Sequence, residues 1–482
     1  MQHILPPFRS DQLTLNHTAT ADRMTSMKFG GISKFACLAA VCLALFALDL
    51  IRAQNAEAPP SLIEPSSSAT PQSSTDAPAS PAPQTSTDTQ TPTAPRSSTE
   101  TRSATVQKTE TTGEDFGIGR FSKLPVNISA SIQGGYDDNV LTSNSAHGSL
   151  FTAGNVALAY QFGSPRTRLT LSTGAGLTYY FDRPGSSQYD ENAFLDLSVS
   201  HKATPRLTLA AILHVSYQVE PDFNYNVGPN RRTGNYFYTD DKFSVTYLWA
   251  PRFSTLTSYS PGIVRYDKSA IASFLDRFEN TFGNEFRFLA WPATTVVAEY
   301  RYEVINYESS LRDSNTHFAL AGFDHNFNPR TLLTLRGGEE FRTSDFGGDH
   351  TDPYFESGLT YAFGHNSISF TNRYSIEEPD IPTAAIRNTF RTGLLGKYDF
   401  TPRISSTFGF YYQHSDNQAF NSGGIVSPDF LEQTVDLSLT LRYSITHVLG
   451  IQAGYSHTQV ISDLFGRDYS RNRYFGGLNL AF

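Results

Sequence analysis

The sequence predicts an all-β fold: a closed, transmembrane, antiparallel up-and-down β-barrel of about 18 strands. Three observations predict it, namely alternating apolar and polar stretches, short turns at a regular spacing, and a chain that ends on an alternating aromatic strand. The composition is unlike that of an ordinary enzyme, because 13% of the residues are aromatic and only 17% are charged. The net charge of −9 argues against nucleic acid as a partner.

Residues 1–56 are predicted to be a leader and signal peptide. Their apolar run, 35–48, follows two lysines and is too short to cross a bilayer comfortably, which is typical of a secretory signal. Met24 and Met27 are alternative starts, since either would give a conventional signal length. Both cysteines lie in this run, so the mature chain is expected to contain no disulfide.

Residues 57–117 are predicted to be a disordered periplasmic linker. Ser, Thr, Pro and Ala dominate this stretch, and it cannot bury enough apolar area to offset the entropy of ordering. Contact with peptidoglycan and glycosylation are the alternatives for this segment.

The predicted barrel covers residues 118–482 and is divided by short turns. Adjacent turns are about 36 to 46 residues apart, the length of two strands of about 10 to 14 residues and one longer loop. Eight turns, with both chain ends on the same side, imply nine longer loops and eighteen strands. The turns are Ser164-Pro165-Arg166, Thr204-Pro205-Arg206, Ala250-Pro251-Arg252, Trp291-Pro292, Asn328-Pro329-Arg330, Gly364-His365-Asn366, Thr401-Pro402-Arg403 and Ile445-Thr446-His447.

The stretches between the turns alternate with a period of two. In residues 434–444, Leu437 and Leu439 share one face while Asp436 and Ser438 share the other. Strands of about ten residues with this period suit a tilted crossing of a bilayer, whereas a propeller, the alternative for such a repeat, favours about five or six.

Two features weaken this pattern. The stretch 317–327 alternates poorly, and Asn280, Asn284 and Asn372 fall on the predicted lipid face. Register slips or bulges would account for both features.

The polar face carries charges that are costly in lipid, by about 2 to 4 kcal/mol each, so it is predicted to line a water-filled lumen. Because charges of both signs occur there, we expect weak selectivity and passive passage of small polar solutes. The candidate pore-lining residues, chosen for their mid-strand positions, are Glu299, Arg301, Arg336, Glu340, Arg373 and Arg391.

Aromatic residues flank both the turns and the longer loops. Trp and Tyr favour the two membrane interfaces, so the sequence predicts two aromatic girdles. Those near the turns include Trp249, Trp291, Phe327, Tyr398 and Phe400.

The final stretch, 474–482, alternates up to the last residue and is predicted to close the barrel against the first strand. Its end is similar to the C-terminal assembly signal of outer-membrane barrels, with Gly477, Leu480 and Phe482 matching the pattern. Phe475 departs from it, where a polar residue is usual. The similarity implies the barrel assembly machinery as a partner.

No catalytic motif of the GxSxG, HExxH or CxxC type is present, so neither an enzyme nor a cofactor is expected. Two local features remain open. Asp137, Asp138 and Asn139 would suit Ca²⁺, or they start a turn at a strand end. The aromatic and arginine-rich stretch 220–241 would suit a glycan, or it belongs to an interfacial girdle.

The stretch "YDDNV" (136–140), the repeated "TPR" and "SPR" turns and the terminal Phe482 resemble the beta-barrel porin 2 family, whose exosortase-associated members are linked to exopolysaccharide loci. The resemblance implies an integral protein of the cell outer membrane, in contact with its lipid. It also implies a second possible function, a conduit or accessory for exopolysaccharide export. A third possibility is a plugged structural barrel anchored to peptidoglycan by the linker.

Overall fold

The computed structural model describes residues 126–219, 234–309, 312–345, 348–419 and 428–482. The predicted leader and linker lie outside the described residues, as does the start of the predicted barrel, residues 118–125. No helix among the described residues is long and apolar enough to span a membrane.

The described chain forms one sheet of nineteen strands and one short helix, α1, Ser269–Leu275. The strands are β1 Val126–Asp137, β2 Ser149–Gly163, β3 Thr167–Tyr180, β4 Tyr189–Lys202, β5 Leu207–Gln218, β6 Tyr236–Asp240, β7 Lys242–Ala250, β8 Phe253–Tyr266, β9 Arg277–Trp291, β10 Thr294–Tyr307, β11 Ser314–Asn328, β12 Thr331–Ser344, β13 Gly348–Phe363, β14 Asn366–Glu377, β15 Ala384–Asp399, β16 Ile404–Ala419, β17 Phe430–Ser444, β18 Leu449–Ser462 and β19 Tyr469–Ala481.

The sheet closes on itself. Every pairing between neighbouring strands is antiparallel, and β1 pairs with β19 from Ser129 opposite Ala481 to Asp137 opposite Arg473. The last residue completes the seam, because the backbone N–H of Phe482 donates to the carbonyl of Ile128 at 2.8 Å. The predicted closed, antiparallel all-β barrel is confirmed, and closure leaves no unpaired edge.

The wall has eighteen positions, because β6 and β7 occupy one position end to end. Both pair with β8 and both pair with β5, and the register is the same for β6 and β7 except for one shift beside the short turn, at Leu248 and Ala250. Between them the backbone N–H of Asp241 donates to the carbonyl of Pro261 at 3.1 Å. Pro261 has no N–H to return that bond, so the ladder is interrupted at this residue.

The apolar side chains face outwards and the polar ones inwards. Ile132, Val156 and Trp291 are 57–65% exposed on the outer surface, whereas Arg336 and Glu340 are 0–3% exposed inside the barrel. This arrangement, which is the reverse of a soluble protein, is the architecture of a barrel that spans a bilayer.

The outward asparagines have partners on neighbouring strands. Tyr259 donates its hydroxyl to the Oδ1 of Asn280 at 2.9 Å, and Thr257 donates to Asn284 at 3.3 Å. Asn372 donates its amide to Ser357 at 3.0 Å. These bonds satisfy amide groups that lipid could not solvate.

The weak alternation of β11 has its cause inside the barrel. Phe318 and Leu320 face inwards and pack with Tyr354 of β13, so apolar residues occupy both faces of the strand. The only register irregularity between β11 and β12 lies beside the short turn, at Asn326 and Asn328. A register slip therefore does not explain the pattern.

All eight predicted turns connect the strands as expected, but the strands are longer than the predicted 10 to 14 residues. Apart from the divided β6 and β7, they have 12 to 16 residues. The helix α1 lies in a predicted loop, where Leu275 packs against Tyr236 and Tyr266.

Candidate functional site in the barrel lumen

A cavity of ≈ 370 Å³ lies in the lumen against strands β5 to β15. Its wall on β9 to β15 carries most of the charged side chains of the lumen and is called the charged wall. Of the six predicted pore-lining residues, five contribute to the cavity lining. These are Glu299, Arg301, Arg336, Arg373 and Arg391.

The first group of charges is centred on Arg301 of β10. Its guanidinium donates to Glu299 at 3.1 Å and to the hydroxyl of Tyr354 at 3.0 Å. The Tyr354 hydroxyl donates in turn to Glu356 at 2.6 Å, and Arg336 lies 3.7 Å from Glu299. Both carboxylates of the group therefore lie beside a cation.

Asp324 extends this group along the wall. Its carboxylate lies 2.9 Å from Arg336 and also binds Arg287, which donates to Glu285 at 2.6 Å. Cations and carboxylates alternate through these contacts, so their fields largely cancel within the wall.

The second group is centred on Glu377 at the end of β14. Arg373 and Arg391 lie opposite each other in the β14–β15 register, where two like charges would repel. Glu377 binds Arg391 and lies 3.4 Å from Arg373, so one carboxylate lies between the two cations and reduces their repulsion.

Glu340, the sixth predicted residue, lies beside the second group but outside the cavity lining. It is fully buried and accepts a hydrogen bond from the backbone N–H of Ile376. That all six residues line a conducting path remains a prediction.

The predicted set omitted Tyr354, Glu356, Glu377 and Asp324, which connect the chosen residues. Sequence position alone does not reveal them, because their role depends on pairing between strands. Glu356 lies opposite Arg336 on one side and Arg373 on the other. Strand register was the signal that could have identified it.

The rest of the lumen, from β17 through the seam to β5, is called the neutral wall, because many of its inward residues are small and uncharged. They include Ser438, Thr440, Gln452, Ser456, Asn479, Ser129, Ser131, Gln133, Asn155, Gln161, Thr170, Ser172, Ser198, Ser200 and Thr208. Charged residues face inwards there as well, namely Arg168, Asp196, Asp436, Arg442 and Arg473. Ser129, Gln161 and Thr170 face inwards and are solvent-exposed, so water reaches this side of the lumen.

The loop 378–383, between β14 and β15, lies across one mouth of the barrel. Ile381 packs with Phe430 and Leu464 on one side of the mouth. On the other side, Glu378 binds Arg342 of β12 and the hydroxyl of Tyr307 of β10. Contacts on both sides hold the loop over the lumen.

Further arginines fix this loop. Arg387 lies 3.2 Å and Arg467 lies 2.9 Å from Asp380, while Arg312 donates to the carbonyl of Ala384. Burial alone would raise the pKa of the Glu378 carboxyl. The nearby guanidiniums of Arg342 and Arg277 oppose this effect, and the pKa falls to about 2.

Asp137, Asp138 and Asn139 lie at the barrel seam, where protein groups occupy their oxygens. Arg471 binds the Asp137 carboxylate, and Asn472 donates to both oxygens of Asp138 at 2.6 and 2.7 Å. Asn139 donates to the carbonyl of Ser470 at 3.0 Å. The trio therefore joins the end of β1 to β19.

No group of three or more metal-ligating side chains occurs within the described ranges. Of the possible glycan-binding stretch 220–241, residues 220–233 lie outside the described part of the chain. Tyr236 and Tyr238, which follow, are buried against Val264 and α1.

No protein-family model matches the chain, and the curated proteins provide no match. Solved barrels are similar to it, all with low identity. The outer membrane protein OpdK from Pseudomonas aeruginosa is 10% identical with a TM-score of 0.39, over 74% of this chain and 99% of that one. OccAB4 from Acinetobacter baumannii is 11% identical with a TM-score of 0.37, over 75% and 100%.

The siderophore receptor PirA from Pseudomonas aeruginosa is 11% identical with a TM-score of 0.35, over 74% of this chain and 80% of that one. Similarity at these values carries no argument about transport, and the fold rests on the strand pairing described above. Membership of the beta-barrel porin 2 family stays a prediction, and the comparisons give no support to exopolysaccharide export.

Proposed function

We propose that the protein is an outer-membrane, porin-like channel for the passive passage of small polar solutes. One observation carries the proposal: a closed wall of eighteen positions with an apolar outside encloses a polar interior that side chains do not fill. Barrels of this size class have room for water beyond their own side chains. The function requires no bond-making chemistry.

The charged wall and the neutral wall have different roles in the proposed channel. Ion pairs compensate most charges of the charged wall, and the neutral wall offers hydroxyl and amide groups to a passing solute. We infer weak ion selectivity and passage of uncharged polar molecules along the neutral wall.

Liposome swelling tests this proposal. Liposomes that contain the refolded barrel should swell in iso-osmotic solutions of small sugars and amino acids, at rates that fall with solute size. Empty liposomes and liposomes with heat-denatured protein are the controls. Swelling no faster than in these controls, with a folded barrel, would contradict the channel function.

Insertion into the outer membrane is part of the same proposal. The terminal Gly477, Leu480 and Phe482 would be recognised by the barrel assembly machinery. Leu480 and Phe482 are 37% and 62% exposed at the outer surface, which leaves them accessible to such a partner. The predicted linker would then lie in the periplasm, together with both chain ends.

A further inference from the structure

Five of the short turns carry an arginine directly after a proline. In an up-and-down barrel all the short turns lie at one end, called here the turn rim. All five side chains are solvent-exposed. The arginines are Arg166, Arg206, Arg252, Arg330 and Arg403.

Turn geometry explains the residues that precede these arginines. The hydroxyl of Thr204 accepts hydrogen bonds from the backbone N–H groups of Arg206 and Leu207 at 3.2 and 3.0 Å. The side chain of Asn328 accepts from the backbone of Arg330 at 2.8 Å. The intervening proline presets its own φ angle.

The guanidinium groups have no part in that geometry, because only the backbone of each arginine is used. In the described chain none of the five forms an ion pair, whereas Arg287, Arg301 and Arg391 in the lumen all do. The charged residues Arg168 and Lys202, close to two of the turns, are also exposed. The turn rim therefore presents uncompensated positive charge.

Exposed aromatic side chains indicate where these arginines lie relative to the membrane interface. Trp249, Phe327 and Phe400 precede Arg252, Arg330 and Arg403 by three residues each and are 57–60% exposed on the outer face. Such rings lie at the membrane interface. The guanidinium groups just beyond them lie at the level of lipid headgroups.

We propose that the turn rim binds the phosphate groups of anionic phospholipids in the inner leaflet of the outer membrane. A guanidinium matches phosphate with two parallel hydrogen bonds, which an ammonium group cannot form. This chemistry accounts for arginine, and not lysine, at all five turns. The inference depends on insertion in the membrane and not on what crosses the lumen.

Lipid retention tests the inference. The full barrel is reconstituted in nanodiscs of phosphatidylcholine with phosphatidylglycerol, and native mass spectrometry measures which lipid stays bound after release. Phosphatidylglycerol should be enriched on the natural protein. Each Arg→Gln change should lower that enrichment about fivefold, the equivalent of about 1 kcal/mol per basic residue near a membrane surface.

Two variants separate the causes. Changing all five arginines to glutamine should abolish the enrichment, and changing all five to lysine should leave it intermediate. If the variant with all five arginines changed does not fold, the single variants Arg252→Gln and Arg330→Gln provide the same test. Equal enrichment in the natural protein and the glutamine variants would overturn the inference, as would binding of soluble peptidoglycan fragments in place of the lipid.

Enrichment that is unchanged in the lysine variant would show that paired hydrogen bonds from a guanidinium are not required for phosphate binding. Lipid release by inorganic phosphate, but not by chloride of equal ionic strength, would assign the rim to free phosphate and equally overturn the inference. Because no solute transport is measured, these results are independent of the channel assay.

Discussion

Gly477 lies at a close approach between the last strand and the first. A Cβ atom on this residue would be 2.3 Å from the carbonyl oxygen of Ile132 on β1. Backbone cannot move aside as a flexible side chain can, so only glycine fits without a shift of the seam. This packing gives Gly477 a structural role besides its match to the assembly signal.

The change Gly477→Ala should destabilise the barrel by about 1–3 kcal/mol, the usual cost of overpacking. Its neighbour supplies the control, because a Cβ on Gly476 would lie 3.9 Å from the nearest oxygen, that of Gln452. The measurement is urea unfolding, followed by the gel mobility of unheated samples. Equal stability of the two variants would show that the seam tolerates the methyl group.

Arg301 balances two carboxylates at the centre of the charged wall. Because one positive charge beside Glu299 and Glu356 would be lost, Arg301→Gln should shift the pore towards cation selectivity. The reversal potential in a salt gradient measures this shift, and the double variant with Glu299→Gln should largely reverse it. A matched control is Arg252→Gln at the turn rim. No difference between Arg301→Gln and this control would remove Arg301 from the conducting path.

At the scale of elements, the loop 378–383 is held over one mouth of the barrel by contacts on both of its sides. Seven side chains from outside the loop bind it or pack against it, so its position does not depend on the loop's own few residues. A loop held in this way would narrow the channel without filling it. Its charged contacts make the narrowing sensitive to low pH.

The pH dependence follows from the lowered pKa of Glu378. A carboxylate with a lowered pKa stabilises the folded state above its ordinary pKa of 4.5, and this contribution is lost as the pH falls through about 2. The loop should therefore stay in place near pH 4 and become mobile near pH 2. Single-channel current noise measures the change.

A substitution tests whether Glu378, and not another carboxylate, causes the change at low pH. Glu378→Gln should produce the low-pH noise already at neutral pH. Glu308→Gln, on an exposed carboxylate paired with Arg265, should not. Noise that begins near pH 4.5 in the natural protein would contradict the role of Glu378.

At the scale of the whole molecule, local chemistry determined what could be predicted. The turns could be predicted because proline and a Ser, Thr or Asn cap act within four residues. The strands could be predicted because lipid on one face and water on the other enforce a period of two. The predicted inward positions of Arg301 and Arg336 follow from the same period. Side-chain contacts between strands could not be predicted from such local sequence patterns.

Glu356 and Asp324 bind arginines of other strands, and their role appears only when the register is known. The break at Asp241 likewise depends on Pro261, which is adjacent only across the sheet. Phe318 and Leu320 broke the expected pattern because Tyr354 packs against them inside the lumen. Each of these features comes from pairing over long sequence separation.

The most direct test of the channel is single-channel conductance of the refolded mature chain in a planar bilayer, beside a version that lacks residues 58–115. We expect steady, weakly selective conductance of porin size from both proteins. The paired measurement also tests the linker, since a closed full-length chain that opens on truncation would make the linker a plug. No conductance from either protein, with the barrel shown to be folded, would contradict the central claim.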